Sequence, residues 1–252
     1  MEISRKDWLA YAERLGKLNT KAAEEMTRFI DIHGVEDVNG MIDFAYGLVT
    51  KYGEASAALS AEMYDLIAVL EEGALPAAEM APTASYGEVS KTIYGILKTS
   101  VNVALLSSAV GRLVKQAGAD TTLRNAIRDR AEYAWIPVGD TCAFCLGLAA
   151  EGWQPATRRA VNGDHAEHIH TGCNCTYGIR FNRESGVRGY DPAEYREDFQ
   201  DAPLDGEAPT PHNRLNALRR EEYAKNRVKI NAQHREAYAL RKEAIEAGEI
   251  EE

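Results

Sequence analysis

The sequence predicts a mainly α protein: an N-terminal helical bundle, a small zinc-clipped hairpin or loop module, an acidic linker and a C-terminal charged helix. Three observations carry this. Apolar residues recur at three- and four-residue steps as far as residue 132. All four cysteines fall between Cys142 and Cys175. From Pro211 onward the chain is highly charged, with only a thin apolar seam. The expected units are residues 1–132, 133–181, 182–210 and 211–252.

A chain of 252 residues suffices for one sizeable domain with appendages, or for two small ones. Its 45% apolar and 27% charged content is ordinary for a soluble protein. No run approaches the roughly 18 apolar residues of a membrane span, so no membrane contact is expected. The start, Met-Glu-Ile-Ser-Arg-Lys-Asp-Trp, lacks the apolar stretch of a signal peptide, which points to a cytoplasm or something assembled in one. A net charge of −10 gives no global footprint for nucleic acid, so any DNA contact must be local.

Ser4 and Asp7 form a capping-box pattern that opens the first helix. Trp8, Tyr11, Leu15, Leu18, Ala22 and Met26 make its apolar stripe, and His33-Gly34 ends it. A second helix is predicted over 35–52, with Met41, Ile42, Ala45, Leu48 and Val49 on one side. Gly53 separates it from a third, marked by Leu59, Met63, Leu66, Ile67 and Leu70. Residues 73–82 read as a Pro- and Ala-rich loop. Ser85 and Glu88 form a second capping box. The helix behind it, from Val89 through Ile93, Leu106 and Val110 to Leu113, is apolar on most sides and reads as the bundle's central helix. Gly118 is expected to stop it, and Asp120 to cap a shorter helix with Leu123, Ala126 and Ile127.

From Tyr133 the period changes. Trp135-Ile136-Pro137-Val138 reads as an edge strand, being short and rich in Pro and β-branched residues. Residues 145–150 make a helical turn or two, stopped by Gly152. Residues 153–169 are polar and irregular, and residues 176–181 are the matching strand.

Cys142-x-x-Cys145 and Cys173-x-Cys175 dominate this region, with His165, His168 and His170 before the second pair. A Cys-x-x-Cys turn aims two thiolates at one ion about 2.3 Å from each sulfur, and a second pair or an imidazole completes a tetrahedron. Such soft to borderline donors select Zn²⁺ over Mg²⁺ or Ca²⁺. Cys142 and Cys145 lead the candidates, followed by Cys173 and Cys175, with His170 competing for one place. His165 and His168 read as solvated or outer-shell residues. The alternatives are two disulfides, a redox pair and plain buried cysteines; the absent secretory signal disfavours the first and the tight pairing the last. Metal binding would supply folding energy on the order of 10 kcal/mol, less where the bundle already orders the site.

Residues 182–210 carry more acids than bases and three prolines, and read as a linker or surface-hugging arm. In the final helix, bases such as Arg214, Arg219, Arg220, Lys225 and Arg227 come early and acids gather at the tail. Any local contact with DNA or an acidic surface would run through it.

Trp135-Ile-Pro-Val-Gly-Asp-Thr-Cys142-Ala-Phe-Cys145-Leu-Gly-Leu-Ala-Ala-Glu-Gly152-Trp153, followed by His170-Thr-Gly-Cys173-Asn-Cys175, resembles the minor head proteins of tailed bacteriophages, the group similar to Mu protein F. It looks closest to the actinobacterial-phage branch, where Cys-Ala-Phe-Cys is common. The match covers about residues 133–181, and Thr171 stands where proline is commoner. The resemblance implies a virion component of few copies at the capsid interior or portal vertex, with portal or major capsid protein as partner. It also implies Cys142, Cys145, His170, Cys173 and Cys175 as the motif positions.

Some relatives are labelled capsid maturation proteases. Here neither Gly-x-Ser-x-Gly nor His-Glu-x-x-His occurs, and only Glu167 beside His168 could serve as base of a catalytic zinc site. A thiolate-rich site closed by four protein ligands is structural in character. Three functions therefore compete: a structural head protein with zinc, a maturation protease acting on scaffold or capsid protein, and a cytoplasmic zinc-dependent binding protein.

Overall fold

The computed structural model describes residues 2–72, 75–99, 102–139, 141–158, 175–204 and 211–246. Helix α1 spans Arg5–His33. Ser4 caps it as the sequence predicts: Asp7 N–H donates to Ser4 Oγ at 3.1 Å, but the Asp7 carboxylate accepts the Ser4 hydroxyl at 2.5 Å rather than the backbone N–H that would complete a capping box. Trp8, Tyr11, Leu15, Ala22 and Met26 are buried along one face. Gly34, at φ 74°, ends the helix and donates its N–H to Ile30 O at 2.8 Å.

Helix α2 is a single element, Val38–Glu71, where two helices divided at Gly53 are expected. Gly53 is a contact residue rather than a breaker. A methyl carbon there would lie 2.7 Å from Thr83 Cγ2 and 3.6 Å from Ala117 Cβ. Its cost inside a helix, about 1 kcal/mol, is offset by the close approach it permits.

The opposite correction applies next. The long helix expected from Ser85 to Gly118 is two helices, α3 (Tyr86–Thr99) and α4 (Val103–Asp129). The Ser85–Glu88 capping box opens α3. Asn102 opens α4, its side chain accepting Leu105 N–H at 3.0 Å. Neither Gly118 nor Asp120 bounds a helix; α4 runs through both and ends at Arg130, in the left-handed region at φ 57°. It is the central helix, packed against both α1 and α2.

Among the described residues three strands follow: β1 (Glu132–Ile136), β2 (Gln154–Pro155) and β3 (Thr176–Arg180), with α5 (Ala143–Glu151) between the first two. The order is β2-β1-β3, all antiparallel, and β1 lies in the middle rather than at the edge. Pro137 permits this because it falls just beyond the paired residues, so no ladder N–H is lost. β2 was not foreseen; two residues carry no readable period. β3 pairs with β1 in the register Glu132↔Arg180 to Ile136↔Thr176.

Two apolar clusters hold the molecule. One lies among α1 to α4, around Met26, Met41, Ile42, Ile93, Leu106 and Val110. The other joins Trp8, Tyr64 and Leu123 of the helices to Trp135, Ile136, Tyr177 and Ile179 of the sheet. Within the acidic stretch after β3, Val187 bridges to Ile3 in parallel, and both Val187 and Tyr190 are buried in the second cluster. Among the described residues two further helices follow, α6 (Pro192–Gln200) and α7 (Pro211–Glu246). Among the described residues no helix is long and apolar enough to cross a membrane.

Candidate metal centre

Cys142 is the N-cap of α5. Its backbone is extended (φ −70°, ψ 160°), and its sulfur accepts Cys145 N–H at 3.5 Å while its carbonyl accepts Leu146 N–H at 2.9 Å. The run Ala-Phe-Cys-Leu-Gly-Leu-Ala-Ala is helix-compatible, and Gly152, at φ 72°, stops it as the sequence predicts. Pro192, at the start of α6, packs against that stop, 3.0 Å from where a Gly152 methyl would sit. A sulfur at a helix N-terminus lies where partial positive charge and unpaired N–H groups favour a thiolate.

Cys145 is fully buried in the second apolar cluster, and Cys175 is buried in it too. Cys175 directly precedes β3, whose first residue pairs with Ile136, so the β1–β3 ladder carries it to the end of β1 from which the chain leads to Cys142. Cys173 and His170, with His165, Glu167 and His168, lie outside the described residues. Among the described residues, no three or more His, Cys, Asp or Glu side chains are grouped closely enough to hold a metal ion.

A cleft of about 790 Å³ opens beside Cys142, lined among others by Thr141, Tyr195, Asp198, Glu222 and Asn226. Glu222 reaches back from α7 to accept Ala143 N–H at 3.3 Å. The first turn of α5 therefore receives a sulfur on one N–H and a carboxylate on another. Burial pushes the Tyr195 phenol up; Arg5 pulls it back, while Glu194, Cys175 and Asp198 push it further. A second cleft, of about 450 Å³ and mostly apolar, lies between α5 and the α6–α7 pair, lined by Phe144, Leu148, Phe199 and Leu215.

Sequence reasoning missed Glu222 and Tyr195. Glu222 is one of many charges in a polar helix, and Tyr195 sits in a stretch that reads as linker. The available signal was the aromatic pair Tyr190 and Tyr195 in an otherwise acidic segment. Their rings lie 5.8 Å apart, and Tyr190 donates its hydroxyl to Ala149 O at 2.9 Å.

No curated protein and no solved structure matches the chain. A family model does: that of the VG15 protein family, over residues 2–202, which takes in α1 to α6, the sheet and all four cysteines. The chain therefore belongs to the VG15 protein family, a family of phage proteins.

Proposed function

We propose that this chain is a structural minor head protein of a tailed phage, carried in the virion and docked on portal or major capsid protein. A structural zinc ion clips its cysteine region, held by Cys142 and Cys145 together with two of His170, Cys173 and Cys175. One observation supports the metal reading above others: Cys142 caps α5 with its sulfur and accepts the N–H of Cys145, the other half of the same motif. The donors are thiolates and one imidazole, the set zinc takes in closed sites. Cys145 is buried in the apolar cluster, where its sulfur would be a thiolate only with a cation beside it. The ion would supply cross-linking, and the chain would supply the shape that docks.

Metal analysis of the full chain purified without chelator tests the site. About one zinc per chain is expected, lost in Cys142→Ser. Wild-type protein with no bound metal, soluble and folded, would sink the metal reading. Mass spectrometry of purified, DNA-filled phage particles tests the placement, since a head protein must be found there.

A further inference from the structure

Arg5 is the first residue of α1, directly after the Ser4 cap. The parallel bridge between Ile3 and Val187 fixes this end of the helix: Ile3 N–H donates to Gly186 O at 3.2 Å and Arg188 N–H to Ile3 O at 3.0 Å. Gly189, at φ 81°, stands opposite Arg5. A methyl on it would lie 3.7 Å from Arg5 Cδ and 3.9 Å from Cγ, so the arginine stem runs close along this turn.

At the end of that stem Nη1 is buried and has no hydrogen-bond partner. Arginine does not give up its proton when buried, as lysine can. A buried donor left unpaired carries its full desolvation penalty, and a charged one calls for a charged acceptor.

The surroundings indicate which acceptor. Tyr195 of α6 and Cys142 both pack against the apolar cluster that holds Ile3, Cys145 and Cys175, and the two line one cleft. Burial is the main influence on the Tyr195 phenol. Beyond it, Arg5 pulls the phenol down while Glu194, Cys175 and Asp198 push it up. Arg5 and the cysteine region therefore share this ring as a neighbour. Glu194 and Asp198 act on the same ring, yet neither accepts from Nη1.

Three or four thiolates on one zinc ion leave the centre negatively charged, and among apolar side chains that charge needs N–H donors on the sulfurs. The backbone supplies one, from Cys145 N–H to Cys142 Sγ. We infer that Arg5 supplies another: it is a positioning residue whose Nη1–H donates to a ligand thiolate of the cysteine centre and offsets its charge. This rests on the zinc reading above and adds to it a residue from the start of the chain, which no cysteine or histidine spacing indicates.

Competition for Zn²⁺ between a chromophoric chelator and the full-length chain tests it, in wild type, Arg5→Met and Arg5→Lys. Methionine keeps much of the stem and removes the donor; lysine keeps the charge. Arg5→Met is expected to bind zinc about 10–100-fold more weakly, and Arg5→Lys to recover part of that loss. In metal-free protein the sign differs. Urea unfolding should find Arg5→Met no less stable than wild type, because it removes an unpaired buried donor. With Co²⁺ in place of Zn²⁺, the thiolate-to-cobalt charge-transfer band should move to lower energy in Arg5→Met, since a sulfur relieved of an N–H donor gives up an electron more readily. If wild type and Arg5→Met take up zinc equally tightly with the same cobalt band, this proposal falls and the metal reading stands. A wild type that takes up no zinc overturns both. Weaker binding in an Arg5→Met protein that is also less stable without metal marks Arg5 as a packing residue, and overturns the proposal as well.

Discussion

Gly118 on α4 faces Ser56 on α2 so closely that a methyl carbon on it would lie 2.6 Å from Ser56 Oγ, 2.7 Å from Ser60 Oγ and 3.1 Å from Ser56 O. Gly111, two turns earlier, is as close to α1, where a methyl would meet Asn19 O at 2.9 Å. α4 thus meets its two neighbours nearly backbone to backbone, and its position in the middle of the bundle depends on having no side chain at these points.

Gly118→Ala therefore destabilises the protein despite alanine's better helix propensity. The expected loss is about 1–3 kcal/mol, since the neighbours include a backbone oxygen that cannot rotate away. Urea unfolding measures it. Gly95→Ala serves as control, because its exposed site should instead gain up to about 1 kcal/mol from the same change.

Tyr64 donates its hydroxyl to Asp129 at 2.8 Å, and Arg128 pairs with the same carboxylate at 2.7 Å. The Arg128 guanidinium holds the Asp129 carboxyl below its ordinary value, against the opposing effect of burial. Its contribution is present above an unfolded value of about 4 and is lost as pH falls through the lower folded one. Tyr64 is pushed up by burial first and by Asp129 next. Its contribution is full below about pH 10 and declines as pH rises above that. Tyr64→Phe should cost about 1 kcal/mol at neutral pH and flatten the alkaline limb of the stability curve. Equal alkaline slopes in wild type and variant would refute the assignment.

Arg180 and Glu132 face each other across the β1–β3 ladder, paired through Nε at 2.7 Å and Nη2 at 2.6 Å, and the guanidinium stacks 4.7 Å from the Trp153 ring centre. Lysine can reproduce neither the forked pair nor the planar stacking. Arg180→Lys is expected to cost about 1–2 kcal/mol, more than Lys17→Ala at the exposed i,i+4 pair with Glu13, where solvent screens the charges. Thermal melts of the two variants rank them directly.

Cys142 has two separable roles, cap and proposed ligand. With metal stripped by chelator, Cys142→Ser should match wild type within about 0.5 kcal/mol, because serine caps a helix at least as well. With zinc restored, only the wild type should gain stability. A variant equally stabilised by zinc would show that Cys142 is a cap alone.

The class of the fold and most of its local signals were legible in the order of residues. The N-cap at Ser4, the capping box at Ser85, the stop at Gly152, the strand at 176–180 and the long charged final helix each rest on a few neighbouring residues, and local steric and hydrogen-bonding preferences act at that range. Of the cysteine motif the structure shows a local feature of the same kind, Cys142 capping α5 and accepting the Cys145 N–H.

What tertiary structure alone decided is the meaning of the glycines and the place of β1. Gly53 and Gly118 read as breaks because glycine is a poor helix former, yet both lie inside helices, since what they accommodate is a partner many residues away. Likewise, whether β1 lies at an edge or a centre depends on what pairs beside it: Gln154–Pro155 flanks Glu132 and Tyr133 without any period of its own, while Trp135 and Ile136 pair with β3. Short-range preferences are written in adjacent residues; packing between distant segments is settled only when the whole chain finds which surfaces fit.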